Sequence, residues 1–388
     1  MARPGVLDHF SGQEQSDGSR RRQVLAARER ASFDAVTDQD VARVLAKGEV
    51  DEADIAVLLS PAAGRHLEAL ARRARQLTRE RFGNSVHLFS PLYVANHCAN
   101  ACTYCGFTAT ARIQRARLDG ESLDAEFRAL AEEGIEEVLI LTGESPKFSP
   151  VDYVAHCVER ASHFFATVGI EVQPMNTDDY RRIHRAGAEH VCVYQETYDL
   201  DRYEQVHLGA RKRSFAYRFD SQERALLAGM RGVAFGALLG LADPRRDALA
   251  TLVHARSIQR DFPHAEIMLS CPRIRPTGTD TEAASDPVDE RLLLQILCAY
   301  RLAMPQASIT VSTRERPGFR DAVAGLVATK LSASVSPGVG HHVEEAPTGD
   351  EQFEISDERS LAEVVSMLRA TGLQPVLNDN IRLAPAGG

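Results

Sequence analysis

The 388-residue chain sets 45 Lys and Arg against 54 Asp and Glu, a formal charge of −9, and 44% of its residues are apolar. That composition supports a large buried core and excludes fibrous or wholly disordered chains. The negative charge gives no long-range attraction to phosphate, which disfavours nucleic acid and anionic membrane surfaces as partners.

Residues 1–32 are rich in Gly, Ser, Gln and Arg without a sustained period, and the expectation is a disordered tail. They reach Arg20, Arg21 and Arg22 with no apolar signal-peptide core, so the expected location is the cytoplasm. Residues 33–85 read as a helical extension. Asp38, Asp40, Val41, Val44 and Leu45 mark a capped short helix, and Ile55, Leu58, Leu67, Leu70, Ala74 and Leu77 recur at helical spacing.

From residue 86 to 336 the punctuation becomes regular. Eight short β-rich runs are expected at Val86–Val94, Val138–Thr142, Ile170–Pro174, His190–Gln195, Val233–Leu239, Glu266–Cys271, Ser308–Ser312 and Leu331–Val335, with amphipathic helical stretches between them. Strict alternation over about 250 residues is the pattern of an α/β fold of the (β/α)8, TIM-type barrel class. No spanning helix is expected, since the longest apolar run, Val233 to Ala242, falls well short of roughly 18 residues. Residues 337–388 read as a C-terminal cap or tail, irregular until an amphipathic stretch from Ser360 to Leu368.

In such a barrel the C-terminal ends of the strands form the catalytic mouth. Cys98 follows the first expected strand, Gly143 and Glu144 the second, Gln195 and Glu196 the fourth, Arg273 and Arg275 the sixth, and Arg314 the seventh. The chain has seven cysteines, an odd number without a secretory signal, which argues for metal or redox chemistry over a disulfide framework. Three of them, Cys98, Cys102 and Cys105, lie at C-x3-C-x2-C spacing in one loop. One such loop can carry three thiolates to three irons of a cubane and leave the fourth iron open. Structural zinc would need a fourth ligand, and His97 is too close to Cys98 to supply it. Cys157, Cys192, Cys271 and Cys298 read as ordinary buried thiols, and His341 and His342 as a solvated pair.

The thiol loop, with Tyr104 before its last cysteine, resembles the C-x3-C-x-aromatic-C signature of radical S-adenosylmethionine (SAM) enzymes. Further runs widen the likeness: Leu59-Ser-Pro-Ala-Ala, Arg81-Phe-Gly-Asn, Pro91-Leu-Tyr, Leu141-Thr-Gly-Glu, Glu171-Val-Gln-Pro, Val193-Tyr-Gln-Glu-Thr-Tyr, Pro272-Arg-Ile-Arg-Pro and Ser312-Thr-Arg-Glu. Together they resemble the 2-iminoacetate synthase family, the tyrosine lyases of thiamine thiazole biosynthesis. The hydrogenase-maturation tyrosine lyase fits less well, because it carries a second C-terminal cluster site and here no cysteine follows Cys298.

That resemblance implies a [4Fe-4S] cluster on Cys98, Cys102 and Cys105 and SAM on its open iron. It implies SAM contacts from Tyr104, Gly143, Glu144, Gln195 and Glu196, and an adenine-facing strand through Gly236 and Leu238. It implies Cα–Cβ cleavage of L-tyrosine to p-cresol and 2-iminoacetate (dehydroglycine), with Arg314 holding the substrate carboxylate, Arg275 and Arg273 next in line, and Tyr93 near the amino group. At least one of these three arginines is expected to serve ion pairing at the barrel top instead. Implied partners are thiazole synthase and a flavodoxin or ferredoxin-type electron donor. The alternatives are a lyase acting on tryptophan or another aromatic amino acid, and a non-catalytic metal-cluster scaffold for thiazole synthase.

Overall fold

The structure, a computed structural model, describes residues 5–277, 287–343 and 348–379. Its centre is a parallel sheet whose first eight strands follow chain order: β1 (Ser85–Ala95), β2 (Glu137–Thr142), β3 (Thr167–Glu171), β4 (His190–Cys192), β5 (Gly232–Gly236), β6 (Glu266–Ser270), β7 (Ser308–Val311) and β8 (Lys330–Ser332). Each pairs with the next, and β1 pairs with β8, so the sheet closes. Helices follow the strands and cover the outside, which buries both faces of the sheet and explains why the strands are near-continuous apolar runs. The expected (β/α)8 barrel is the fold observed.

One strand lies earlier than expected. The third run was expected over Ile170–Pro174, but β3 occupies Thr167–Glu171. Pro174 cannot donate to a ladder, and the chain after Glu171 turns towards the helix Thr177–Ala186. Gly169 of β3 faces His190 of β4, and a Cβ there would stand 2.1 Å from the imidazole Nε2. Glycine makes room for a histidine inside the barrel floor. There His190 Nε2 lies 3.5 Å from the Glu137 carboxylate, which also accepts a hydrogen bond from Lys330 Nζ.

Two short strands had no sequence signal. β9 (Ser336–Val339) pairs with β1 near its C-terminal end, and β10 (Gln374–Val376) pairs with its first residues. Between them a strap, residues 348–357, crosses the barrel mouth. Its backbone donates to several separate loops: Asp350 to the Gln114 carbonyl (3.1 Å), Gln352 to Pro337 (3.1 Å), Glu354 to Pro276 (3.0 Å) and Ser356 to Thr313 (2.8 Å). Asp357 fixes its end through the buried Arg320 and through Arg359, 2.6 Å away. The amphipathic stretch near Ser360 forms the helix Leu361–Ala370, with Ser360 and Glu363 in a capping box.

The first residues depart from the expectation of a disordered tail, of which Met1 to Pro4 lie outside the described residues. Ser19–Arg30 is a helix packed on the helix Pro244–Asp261, with Val24 fully buried. Its order comes from ion pairs to the barrel rather than from its own periodicity: Arg20 reaches Glu223 and Asp261 (both 2.5 Å), and Arg28 reaches Asp199 (2.7 Å). The paired histidines also divide: His341 is exposed, whereas the His342 backbone N–H donates to Glu126 at 3.0 Å. Among the described residues no helix is long and apolar enough to cross a membrane.

Candidate active site

The thiol loop leaves the end of β1 and is held from several sides. Ala99 N–H donates to the Glu144 carbonyl (2.9 Å), Thr103 N–H to Val206 (3.0 Å) and Gly106 N–H to Gln352 of the strap (3.1 Å). The Arg115 guanidinium donates to the carbonyls of Asn96 (2.6 Å), Phe107 (2.9 Å) and Thr108 (2.7 Å), bracing both ends of the loop. Gly143 packs so tightly here that a Cβ would stand 2.3 Å from the His97 carbonyl oxygen, immediately before Cys98. That close approach accounts for the glycine.

Cys98, Cys102 and Cys105 are free thiols, as are Cys157, Cys192, Cys271 and Cys298, which are buried in the body of the protein. Burial pushes the Cys98 thiol up to about 11, and Glu144 and Cys105 add to the shift. Burial raises Cys102 as well, against the pull of Lys212. Neighbouring thiols that disfavour one another's ionisation become stable thiolates when metal replaces their protons. Among the described residues no group of three His, Cys, Asp or Glu side chains stands ready-made around a metal ion. Three thiols in one loop suit three irons of a cubane, whereas structural zinc takes four protein ligands.

Beside the loop lies a charge network of two acids and two bases. Arg218 pairs with Glu144 at 2.8 Å and Glu196 at 3.4 Å, and Lys212 pairs with Glu196 at 2.9 Å. Asn100 donates to Glu144 at 2.8 Å. Burial alone would raise the Glu144 carboxyl, but Arg218 and Lys212 outweigh it and hold the group below its ordinary range. Glu196 takes a left-handed backbone, φ 72°, a conformation that costs a non-glycine residue energy and clusters at functional sites. Its carbonyl accepts from Leu238 N–H (2.7 Å), while Gln195 N–H donates to Gly236 (3.0 Å), so β4 and β5 stay in contact beyond their ends. Gly236 is required by packing, since a Cβ would stand 2.6 Å from the Tyr194 ring. The Tyr104 hydroxyl lies 2.8 Å from His207 Nε2, and Lys212 Nζ stands 5.6 Å from the centroid of the tyrosine ring.

The cavity inside the mouth has an empty volume of about 960 Å³, its opening included, and Tyr93, Tyr104, Cys105, Glu196, Leu238 and Arg314 all line it. Arg314 is the guanidinium on its wall. Its guanidinium stacks on the Phe353 ring of the strap, 3.5 Å from the centroid, and makes one long hydrogen bond, 3.4 Å, to the Arg273 carbonyl. Among the described residues no carboxylate pairs with it within 4 Å, and burial pulls its pKa down. The other two arginines are engaged elsewhere. Arg273 grips Glu315 with two nitrogens, one at 2.9 Å, which meets the expectation of ion pairing at the barrel top. Arg275 donates to Ser356 of the strap and does not line the cavity, so its expected place as second candidate for the substrate is corrected to that of a strap anchor. Tyr93 lines the cavity with its hydroxyl donating to Gln352 Oε1 (2.8 Å), and the same amide donates to Cys105 Sγ (3.4 Å).

Four functional groups had no place in the expected site: Lys212, Arg218, Glu171 and Gln352. Arg218 had a usable signal, an arginine within the aromatic run Phe215-Ala-Tyr-Arg-Phe, where a buried cation demands an acid. Gln352 had none, because only the path of the strap brings it to Cys105.

Residues 92–254 match the radical SAM superfamily, and residues 270–374 match the Biotin and Thiamin Synthesis associated domain. The crystal structure of HydG, a maturase of the [FeFe]-hydrogenase, aligns with a TM-score of 0.84 and 28% identity, over 94% of this chain and 80% of that one. The barrel and its thiol loop therefore define a radical SAM enzyme, with a [4Fe-4S] cluster and SAM as cofactors. Methylornithine synthase (PylB) shares the fold at a TM-score of 0.68 and 24% identity, over 86% of this chain and 96% of that one. The 2-iminoacetate synthase of Escherichia coli (strain K12) is 38% identical over 351 residues, 90% of this chain and 93% of that protein. The same enzyme of Salmonella typhimurium matches to the same extent. The chain belongs to the 2-iminoacetate synthase family.

Proposed function

We propose that this enzyme cleaves the Cα–Cβ bond of L-tyrosine, releasing p-cresol and 2-iminoacetate for the thiazole of thiamine. The observation that carries the reading is one cavity with a cluster thiol, Cys105, on one wall and a carboxylate-free buried guanidinium, Arg314, on another. Cys98, Cys102 and Cys105 would hold the cluster, Glu144 the SAM ammonium and Glu196 the SAM ribose, with Gly236 and Leu238 on the adenine side. When bound, these cofactors supply the one-electron chemistry that removes a hydrogen atom from the substrate amino group.

The chain's own residues supply position and seclusion. Arg314 presents a planar fork that matches a carboxylate with two hydrogen bonds and cannot lose its charge. Phe353 stacks under the fork and fixes its plane, so little freedom is lost when substrate docks. Leu139, Leu141 and Pro91 offer an apolar wall to the aromatic ring. The strap covers the mouth and excludes water from an imine product that hydrolyses readily. The same lability favours direct transfer to thiazole synthase within a complex, and a cytoplasmic flavodoxin or ferredoxin-type protein is the electron source of this reading.

Anaerobically reconstituted enzyme given SAM and dithionite should convert tyrosine to p-cresol with 5′-deoxyadenosine, and should leave tryptophan intact. Deoxyadenosine without cresol rejects tyrosine, and an indolic product from tryptophan moves the substrate to that amino acid. A zinc-only protein, or an iron-sulfur protein whose cluster gives no spectroscopic response to SAM, would support the scaffold alternative.

A further inference from the structure

Glu171 ends β3 and lines the same cavity as Arg314 and Tyr93. Among the described residues its carboxylate has no hydrogen-bond or ion-pair partner within 4 Å, although the barrel encloses it. The charges that face it are Glu196 after β4, Arg314 after β7, and Lys212 and Arg218 from the short helices Arg211–Arg213 and Phe215–Phe219 beyond β4. Tyr93 on β1, Cys192 on β4 and Tyr194 after it complete the titratable groups around it. Lys212 and Arg218 already grip Glu144 and Glu196, and Arg314 faces the position of the substrate carboxylate. Burial, reinforced by Glu196, pushes the Glu171 carboxyl up to about 7 despite the three cations. It is an enclosed acid that lacks a cation of its own.

An α-amino acid whose carboxylate sits on Arg314 brings its ammonium group within one bond of Cα, into the space between Arg314, Tyr93 and Glu171. Tyr93 is no proton acceptor there: its hydroxyl donates to Gln352, and burial raises its phenol far above the ordinary range. Glu144 and Glu196 are held by their cations. We infer that Glu171 receives the substrate ammonium and takes one proton from it. The step turns R–NH3+ and Glu–COO− into R–NH2 and Glu–COOH: an N–H bond breaks, an O–H bond forms, and no electron changes hands. The neutral amine keeps its lone pair, so later loss of a hydrogen atom leaves a neutral nitrogen radical instead of a cation radical. A carboxyl that ionises near neutrality suits the task, because it exists as carboxylate when substrate arrives and holds the proton afterwards.

The inference rests on the lyase reading, and its test separates the two. Reconstituted wild-type, Glu171→Gln and Glu171→Asp enzymes are titrated calorimetrically with L-tyrosine and with 3-(4-hydroxyphenyl)propanoate, which lacks the amino group. Cresol release is then followed from about pH 6 to about pH 9.5. Glu171→Gln should bind the propanoate as wild type does, which also reports an intact cavity, yet bind tyrosine at least about 10-fold more weakly. Its cresol rate should fall by about 100-fold or more at pH 7 and recover as the pH passes about 8, where free ammonium begins to lose its proton. Glu171→Asp should restore the wild-type profile in part. An unchanged tyrosine-to-propanoate affinity ratio, or a wild-type pH profile in Glu171→Gln, overturns the assignment. Should Glu171→Gln fail to bind the propanoate, Glu171→Ala decides in its place, because a wild-type affinity ratio and pH profile in a variant without the carboxylate would equally reject it. Absence of cresol from wild type would overturn the lyase reading, and the affinity ratio would still judge Glu171 as the ammonium receptor.

Discussion

At the floor of the barrel Lys330 pairs with Glu137 beside His190, whereas at the mouth Arg314 and Glu171 line a cavity and, among the described residues, neither has an ion-pair partner within 4 Å. Both sets are enclosed by the same strands. The floor charges, Glu137 and Lys330, tie β2 to β8 and are complete in the folded chain, with the neutral His190 of β4 packed beside them. In the proposed reaction the mouth charges are completed by an amino acid that contributes its own carboxylate and ammonium. Buried charge is costly unless it is paired, and on that reading the set without ion pairs is where the zwitterion would sit.

The comparison can be broken most sharply at the thiol loop. Replacing Cys98, Cys102 or Cys105 by Ala should abolish cresol formation and reduce iron and sulfide content, with little change in circular dichroism. Retained iron at full stoichiometry would mean that the cluster sits elsewhere. Next in size, Arg314→Gln should lower kcat/KM for tyrosine by about 100-fold, the loss of a bidentate charged contact, while cluster content is unchanged. Neutralising the floor has the reverse profile: Glu137→Gln strands Lys330 and should cost about 3 kcal/mol in denaturant unfolding while Arg314 and its cavity stay intact.

Two pH effects sharpen the same contrast. Burial and the Lys330 charge press His190 down to about 3, below the value near 6.5 of an unfolded histidine. Between those values the unfolded chain holds a proton that the native chain does not. Stability should therefore rise with pH from about 3 to about 6.5 and then level off. Glu171 runs the other way: its native value of about 7 lies above the unfolded one, so its ionisation costs the native state increasingly as pH rises from about 4.5 to about 7. Glu171→Gln should accordingly stabilise the substrate-free protein above pH 7 by about 3 kcal/mol and make no difference below about pH 4. Identical signs for Glu137→Gln and Glu171→Gln would erase the distinction between the two ends. The smallest effect belongs to a site outside both: Ser360→Ala removes a helix cap and should cost about 1 kcal/mol with no effect on kcat/KM.

The strands and the thiol loop were legible because both signals are local. A doubly buried strand is written as an apolar run, and a cluster loop as closely spaced cysteines. Arg314 was legible through its place after an expected strand. Glu171 stood in plain view within Glu171-Val-Gln-Pro, but nothing in that run separates an enclosed acid from a solvated one. Gln352, Phe353 and β10 were invisible for a different reason. Their positions depend on backbone bonds to loops up to hundreds of residues away, which leave no periodicity behind. Ser19–Arg30 misled because its helix is ordered by arginine pairs on the barrel, and its composition alone resembles that of a mobile segment.

The link from Gln352 to Cys105 spans 247 positions, so the ribosome finishes the thiol loop long before it makes the strap that covers it. The closing strand β8 ends at Ser332, so barrel closure and the strap both wait for the last part of the chain. The cover over the thiol loop is therefore a contact of high sequence separation, formed only when the C-terminal part folds back on β1.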